Sequence, residues 1–376
     1  MKRRATDVPP YLEPLLRTRR VIVCCGAGGV GKTTTAAALG LAAARLGRRV
    51  LVLTIDPARR LSEAMGIPES GQKPARVARA GALDAWMLDP KVVFEGMVRR
   101  LTDDEERVQR ILGNRLYRAL SDLVAGMQEY TAAEALYTFV EGGAYDLVVL
   151  DTPPSRNALE FLEAPRKLAL FLDEKIIGVS LPSGGAGGLF ARRARQLVAS
   201  VFERVFGAGF FEDLQEFLGA FSGMFTAMRS HSESVRKLLT SEEATFLVVT
   251  SPEPSALEEG AFLHDRLIDM GLPFGGYVLN RSWAYTRGLE SPETIVLPAD
   301  APEHTRTGMR KLAALADEER RLAGRDRALL ARLADKGGNA AATPHLGGAI
   351  EDFDGLVELA ASFTGHDRAP DSSVPR

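Results

Sequence analysis

The chain has 376 residues, more than twice the roughly 150 of a common domain, and 45% of them are hydrophobic, 26% charged and 7% aromatic. That composition excludes collagen-like, disordered and mucin-like classes and supports a real core, in one large elaborated domain or two small ones. Lys+Arg 47 against Asp+Glu 49 gives a net charge of -2, without the electrostatic footprint of a dedicated nucleic-acid binder, so no nucleic-acid partner is expected.

The N-terminal stretch MKRRATDVPPYLEP starts basic with no apolar segment behind it, and no run of about 18 apolar residues follows anywhere. A cytoplasmic, non-spanning protein is expected, with residues 1–17 and 366–376 as flexible ends. Only nine of the 47 basic residues are lysines, an arginine bias that points to a GC-rich bacterial source.

Residues 21–25 (VIVCC) form a short apolar run that ends in glycines. Residues 33–46 are an Ala/Leu-rich helical stretch stopped by Gly47, and residues 49–55 (RVLVLTI) read as a second buried strand. Strand, glycine loop, helix, strand is a βαβ unit, which implies a parallel sheet with helices on its faces. Three further apolar runs close on polar residues in the same way: 146–150 (DLVVL) before Asp151, 245–250 (TFLVVT) before Ser251, and 276–279 (GYVL) before Asn280. Residues 302–335 read as a charged amphipathic helix.

Two helical tracts, 91–142 and 157–240, are too long for simple crossovers. The expected fold is α/β: a mostly parallel, doubly wound sheet with an inserted α-helical subdomain, and the G-x-x-x-x-G-K-[ST] loop at 26–33 (GAGGVGKT) makes that sheet of the P-loop NTPase type. Its core spans 18–90, 143–165 and 241–365, and the helical subdomain spans 91–142 and 166–240. The latter holds a glycine-rich loop, 181–189 (LPSGGAGGL), and a stripe of Phe210, Leu214, Phe217, Leu218, Phe221, Met224, Phe225 and Met228 at helical spacing.

Residues 26–33 (GAGGVGKT) satisfy G-x-x-x-x-G-K-[ST] between a strand and a helix, the context the motif requires. Glycines let successive N–H groups point at phosphate oxygens and the helix N-terminus adds partial positive charge. Gly26, Gly28, Gly29, Val30, Gly31, Lys32, Thr33 and Thr34 are thus expected to bind ATP, with Lys32 reaching the β/γ-phosphates and Thr33 ligating Mg²⁺. Gly26, Gly28 and Gly31 also fit G-x-G-x-x-G, with Asp56 at a later strand end, the pattern of a dinucleotide-binding oxidoreductase. Lys32-Thr33 and the strand-ending Asp151 speak against that rival.

Around this loop the chain resembles the ArsA-like family, the arsenite-pump and tail-anchored-protein-targeting ATPases of the deviant Walker A class that includes MinD and ParA. The resemblance rests on Thr54-Ile55-Asp56-Pro57-Ala58 with Leu61-Ser62, on Asp151-Thr152-Pro153-Pro154 with Leu159 and Phe161-Leu162, and on Thr250-Ser251-Pro252-Glu253. Val278-Leu279-Asn280-Arg281 and Pro344 complete it. It implies a catalytic role for Lys32, a water-positioning and metal-site role for Asp56, and a magnesium-holding role for Asp151. Each aspartate also suits a plain helix cap. It further implies that Asn280 reads adenine, with Arg281 beside it and Pro344 covering the ring; as a bare residue, Asn280 is equally a strand-end turn former.

The family's loop carries a second lysine just after its first glycine, which crosses to the partner's phosphates; here that place holds Ala27. The cation then comes from a related partner subunit or from Arg59 or Arg156, the latter equally readable as a surface residue. Cys24 and Cys25 sit side by side on a strand, so they cannot converge on one ion and read as core, without the CxxC zinc pair or the spaced metalloid cysteines of some relatives.

The resemblance therefore implies a Mg-dependent ATPase, homodimeric or heterodimeric, that couples ATP-driven closure to binding or targeting of a hydrophobic or membrane-associated client and works in the cytoplasm, peripherally at the membrane. The Phe/Met stripe suits a client helix and equally a packed core or subunit interface. The alternative is a nucleotide-gated regulatory subunit, weakly or non-hydrolysing, of a heterodimeric ATPase.

Overall fold

The structure, a computed structural model, describes residues 12–54, 62, 65–67, 73–102, 104–113, 125–152, 230–231, 233–285, 297–298, 300–346 and 353–364. The chain divides into two compact units, one of Met1–Met87, Phe139–Ala158 and Leu239–Arg376, the other of Leu88–Thr138 and Leu159–Leu238.

The first unit is built on an eight-stranded sheet in the order β3-β4-β2-β5-β1-β6-β7-β8. The strands are β1 (Val21–Gly26), β2 (Val50–Thr54), β3 (Ala75–Arg76), β4 (Leu83–Met87), β5 (Leu147–Asp151), β6 (Ala244–Thr250), β7 (Phe274–Ser282) and β8 (Ala340–Pro344). Only β3 runs antiparallel, at the edge against β4; the remaining pairs are parallel. Every residue of β1, β2, β5 and β6 is buried, which is why these strands read as continuous apolar runs rather than alternating ones.

β1 is flanked by β5 and β6, which extend the sheet in opposite directions. Ligands of such sheets bind outside the carboxyl ends at the point where the strand order reverses. The register pairs Cys24 with Asp151, Thr54 with Asp151, and Gly26 with Val249, so the carboxyl ends of four strands, β1, β2, β5 and β6, meet there.

Helix α1 (Leu12–Thr18) precedes the sheet, and α2 (Lys32–Arg45) follows β1. Residues Thr35 to Ala44 of α2 are all buried, because α2 packs against β1, β2 and β5 and also against α1 and the C-terminal helix, Phe353–Thr364. Small side chains allow that: at Gly40 a Cβ would collide with Val52.

Helices α3 (Pro90–Leu101), α4 (Glu105–Gly113) and most of α5 (Ala125–Glu141) belong to the second unit. Asp89 caps α3 by accepting from the Lys91 N–H at 2.9 Å, with Pro90 at the first helical position. Within this unit the buried Glu134 carboxylate accepts from Arg100 at 2.8 Å and lies 3.1 Å from His231 Nδ1. The glycine-rich loop 181–189 and the Phe210–Met228 stripe lie outside the described residues.

After β6 the chain forms α6 (Pro254–Asp269), opened by proline and followed by Gly271 at φ 67. Between β7 and β8 runs α7 (Glu303–Gly337), 35 residues that Gly338 ends in the left-handed region at φ 77. The C-terminal helix is α8 (Phe353–Thr364). Among the described residues no helix is long and apolar enough to cross a membrane.

Candidate functional site

The loop between β1 and α2 is shaped by glycine. Gly26 lies against the Val249 carbonyl of β6, in space that a Cβ would need. Gly29 and Gly31 stand at φ 76 and φ 87, where side chains are strained. The Gly31 carbonyl then accepts from Thr35 N at 2.9 Å and starts α2, whose N-terminal N–H groups and dipole favour an anion.

Lys32 is 6% exposed and arches back so that Nζ donates to the Ala27 carbonyl at 2.9 Å. Thr33 Oγ1 donates to Asp151 Oδ2 at 2.7 Å, and Thr54 Oγ1 donates to the same oxygen at 3.0 Å. Thr152 donates its hydroxyl to the Cys24 carbonyl at 2.8 Å. Three threonines thus tie the carboxyl ends of β1, β2 and β5 to the start of α2.

Thr33 and Asp151 together present a hydroxyl and a carboxylate, hard oxygen donors of the kind Mg²⁺ takes while keeping several waters. Among the described residues no group of three or more His, Cys, Asp and Glu gathers. Burial raises both thiols, Cys24 and Cys25, the latter to about 12 although Lys32 and Thr152 pull it down; both are inert core.

On the other side of the loop, the Asn280 amide, 5% exposed, donates through Nδ2 to the Val30 carbonyl at 2.7 Å. Its Oδ1 accepts from the Thr343 hydroxyl of β8. The β7/β8 register shifts between Leu279 and Ser282, a bulge in which Asn280 and Ser282 are buried while Arg281, at φ 54, faces solvent. Pro344 pairs with Ser282, and His345 stacks on Trp283 with centroids 4.6 Å apart. The buried Asp326 of α7 holds this turn, accepting from Trp283 N at 2.8 Å and Ser282 Oγ at 3.2 Å, with Arg325 Nε at 2.8 Å.

Of the residues singled out in the sequence, Gly26 to Thr34 lie at the junction of β1 and α2 with Asp151 against Thr33, and Asn280, within β7, reaches the same loop through Val30. Arg281 and Pro344 lie at the adjoining strand ends. Asp56, Arg59 and Arg156 lie outside the described residues. Sequence reasoning missed the parts played by Thr54, Thr152, Thr343 and Asp326. The first two sit inside quoted motifs, whereas Thr343 and Asp326 leave no local signal, since their partners are 63 and 44 residues away.

The sequence profile described as anion-transporting ATPase matches residues 19–287. The ATPase GET3 of Malassezia globosa is 33% identical over 165 residues, 43% of this chain and 47% of that protein. The ATPase ASNA1 homolog 1 of Paramecium tetraurelia is 26% identical over 281 residues, 73% of this chain and 79% of that protein. The ATPase GET3 of Phaeosphaeria nodorum is 30% identical over 165 residues, 43% of this chain and 50% of that protein. The chain therefore spans about half the length of the two fungal relatives.

Proposed function

The chain belongs to the anion-transporting ATPase family, and from that membership we propose that it is a magnesium-dependent ATP hydrolase whose turnover drives dimer closure on a hydrophobic or membrane-associated client. One observation carries the reading: Thr33 and Asp151 meet at 2.7 Å beside a glycine loop with Lys32 folded over it.

Gly29 and Gly31 give the loop the curvature in which backbone N–H groups face phosphate oxygens, and Lys32 supplies positive charge to the β/γ-phosphates as it leaves the Ala27 carbonyl. Thr33 and Asp151 would hold magnesium, which when bound neutralises charge developing on the phosphates. Thr54 keeps the Asp151 carboxylate oriented. Asp56, two residues past the end of β2 in the sequence VLVLTID, is assigned to orient the attacking water. The adenine is assigned to Asn280, Arg281 and Pro344. In this reading the sheet core spans 18–90, 143–165 and 241–365, and 91–142 with 166–240 receive the client, in the cytoplasm.

Steady-state phosphate release with Mg²⁺ and ATP tests the activity, and calorimetry of Lys32→Ala tests the site. The variant is expected to lose ATP affinity at least tenfold, about 1.4 kcal/mol; unchanged affinity would sink the assignment. Ala27, in the place of the family's second lysine, favours a second reading: a regulatory subunit that binds nucleotide and leaves hydrolysis to a lysine-bearing partner. Tight ATP binding without phosphate release until such a partner is added would select it.

A further inference from the structure

The Val30 carbonyl can only accept a hydrogen bond, so the edge of the Asn280 amide that faces it at 2.7 Å must be the NH₂. The opposite edge must then be Oδ1, and the Thr343 hydroxyl donates to it. Rotating the amide by half a turn would set two acceptors against each other at Val30. Thr343 is fully buried, in the strand beyond the bulge that turns Asn280 inward. The carbonyl so held belongs to the residue just before Gly31, whose missing Cβ is what lets the amide nitrogen approach.

We propose that Thr343 is the positioning residue that fixes the Asn280 amide and, through it, the curvature of the phosphate loop, so that base and phosphates are sensed by one side chain. The inference rests on the ATPase reading in taking the base to be that of a purine nucleotide. By valence the amide keeps one N–H and one lone pair beyond the two bonds described. With its orientation fixed, these ask the base edge for one acceptor and one donor. Adenine supplies both in N7 and its 6-amino group, whereas guanine presents acceptors at N7 and O6. An amide released from Thr343 is held by Val30 alone and gains freedom about its side-chain torsions, which loosens the loop and blurs the choice.

The test uses the whole 376-residue chain as wild type, Thr343→Val and Thr343→Ser. Amide hydrogen exchange without nucleotide reads the loop, and titration with mant-ATP and mant-GTP reads the choice of base. In Thr343→Val, exchange of residues 28–33 should rise several-fold relative to the strand 244–250, and the ATP-to-GTP affinity ratio should narrow by roughly five- to tenfold, the scale of one hydrogen bond. Thr343→Ser, which keeps the hydroxyl, should restore both. Either quantity staying at its wild-type level in the valine variant overturns the proposal, as does an equal rise of exchange in loop and strand, which would mark general loosening. If the wild type binds neither nucleotide, the ATPase reading falls by itself, and the exchange comparison still decides whether Thr343 acts on the loop.

Discussion

A methyl group at Gly31 would have to enter the space of the Asn280 amide nitrogen, on a backbone at φ 87. Gly31→Ala is therefore expected to cost about 1–3 kcal/mol of stability in urea unfolding and to displace Asn280 from Val30, so that nucleotide binding is lost together with stability. Cys25 makes a second residue-scale case. Burial raises its thiol from an ordinary 9.0 to about 12. The folded value lies above the unfolded one, so the stabilisation from keeping the thiol neutral is complete below pH 9.0 and is lost as pH climbs towards about 12. At pH 8, iodoacetamide should leave Cys24 and Cys25 unmodified in the folded chain and label both in urea. Labelling of the folded chain at the same rate would contradict their place in the core. The glycine loop between β1 and α2 was legible at this scale because its residues are contiguous. Thr343 was not, because its meaning depends on a partner 63 residues away.

Among elements, β1, β2, β5, β6 and the core of β7 were legible because strands buried on both faces read as unbroken apolar runs. β8 (AAATP) was not: alanine has little strand preference, and the segment becomes a strand because β7 offers it a parallel partner. β4 (LDAWM) escaped for a related reason, since Asp84 interrupts its apolar character; its carboxylate accepts from Tyr145 at 2.9 Å and pairs with Arg76. The turn after β7 depends on α7 in the same non-local way. Asp326 is fully buried and takes the Trp283 N–H, the Ser282 hydroxyl and the Arg325 guanidinium. Asp326→Ala removes an acceptor from all three and is expected to cost about 3 kcal/mol, read from the urea midpoint. Asp326→Asn, which still offers an oxygen to Trp283, should cost less. A loss under about 0.5 kcal/mol in the alanine variant would mean that the turn holds without α7.

For the whole molecule, the parallel sheet could be foreseen because a glycine loop between strand and helix demands a crossover. The expectation of dimer closure is open to direct measurement. Asp56→Asn should bind ATP yet turn over slowly, because an amide keeps the shape without orienting or deprotonating water as a carboxylate does, and light scattering should then show an ATP-dependent dimer that persists. A variant that stays monomeric with ATP bound would argue against closure. The interior course of α2 has a different consequence, one of mutational history. Ten successive residues, Thr35 to Ala44, are enclosed on all sides, so most substitutions that add side-chain bulk there must displace sheet or helix. In a library of functional variants this stretch should carry fewer tolerated alternatives than any exposed helix of the chain. The sequence of the nucleotide helix would then drift slowly even where the chemistry asks nothing of an individual alanine.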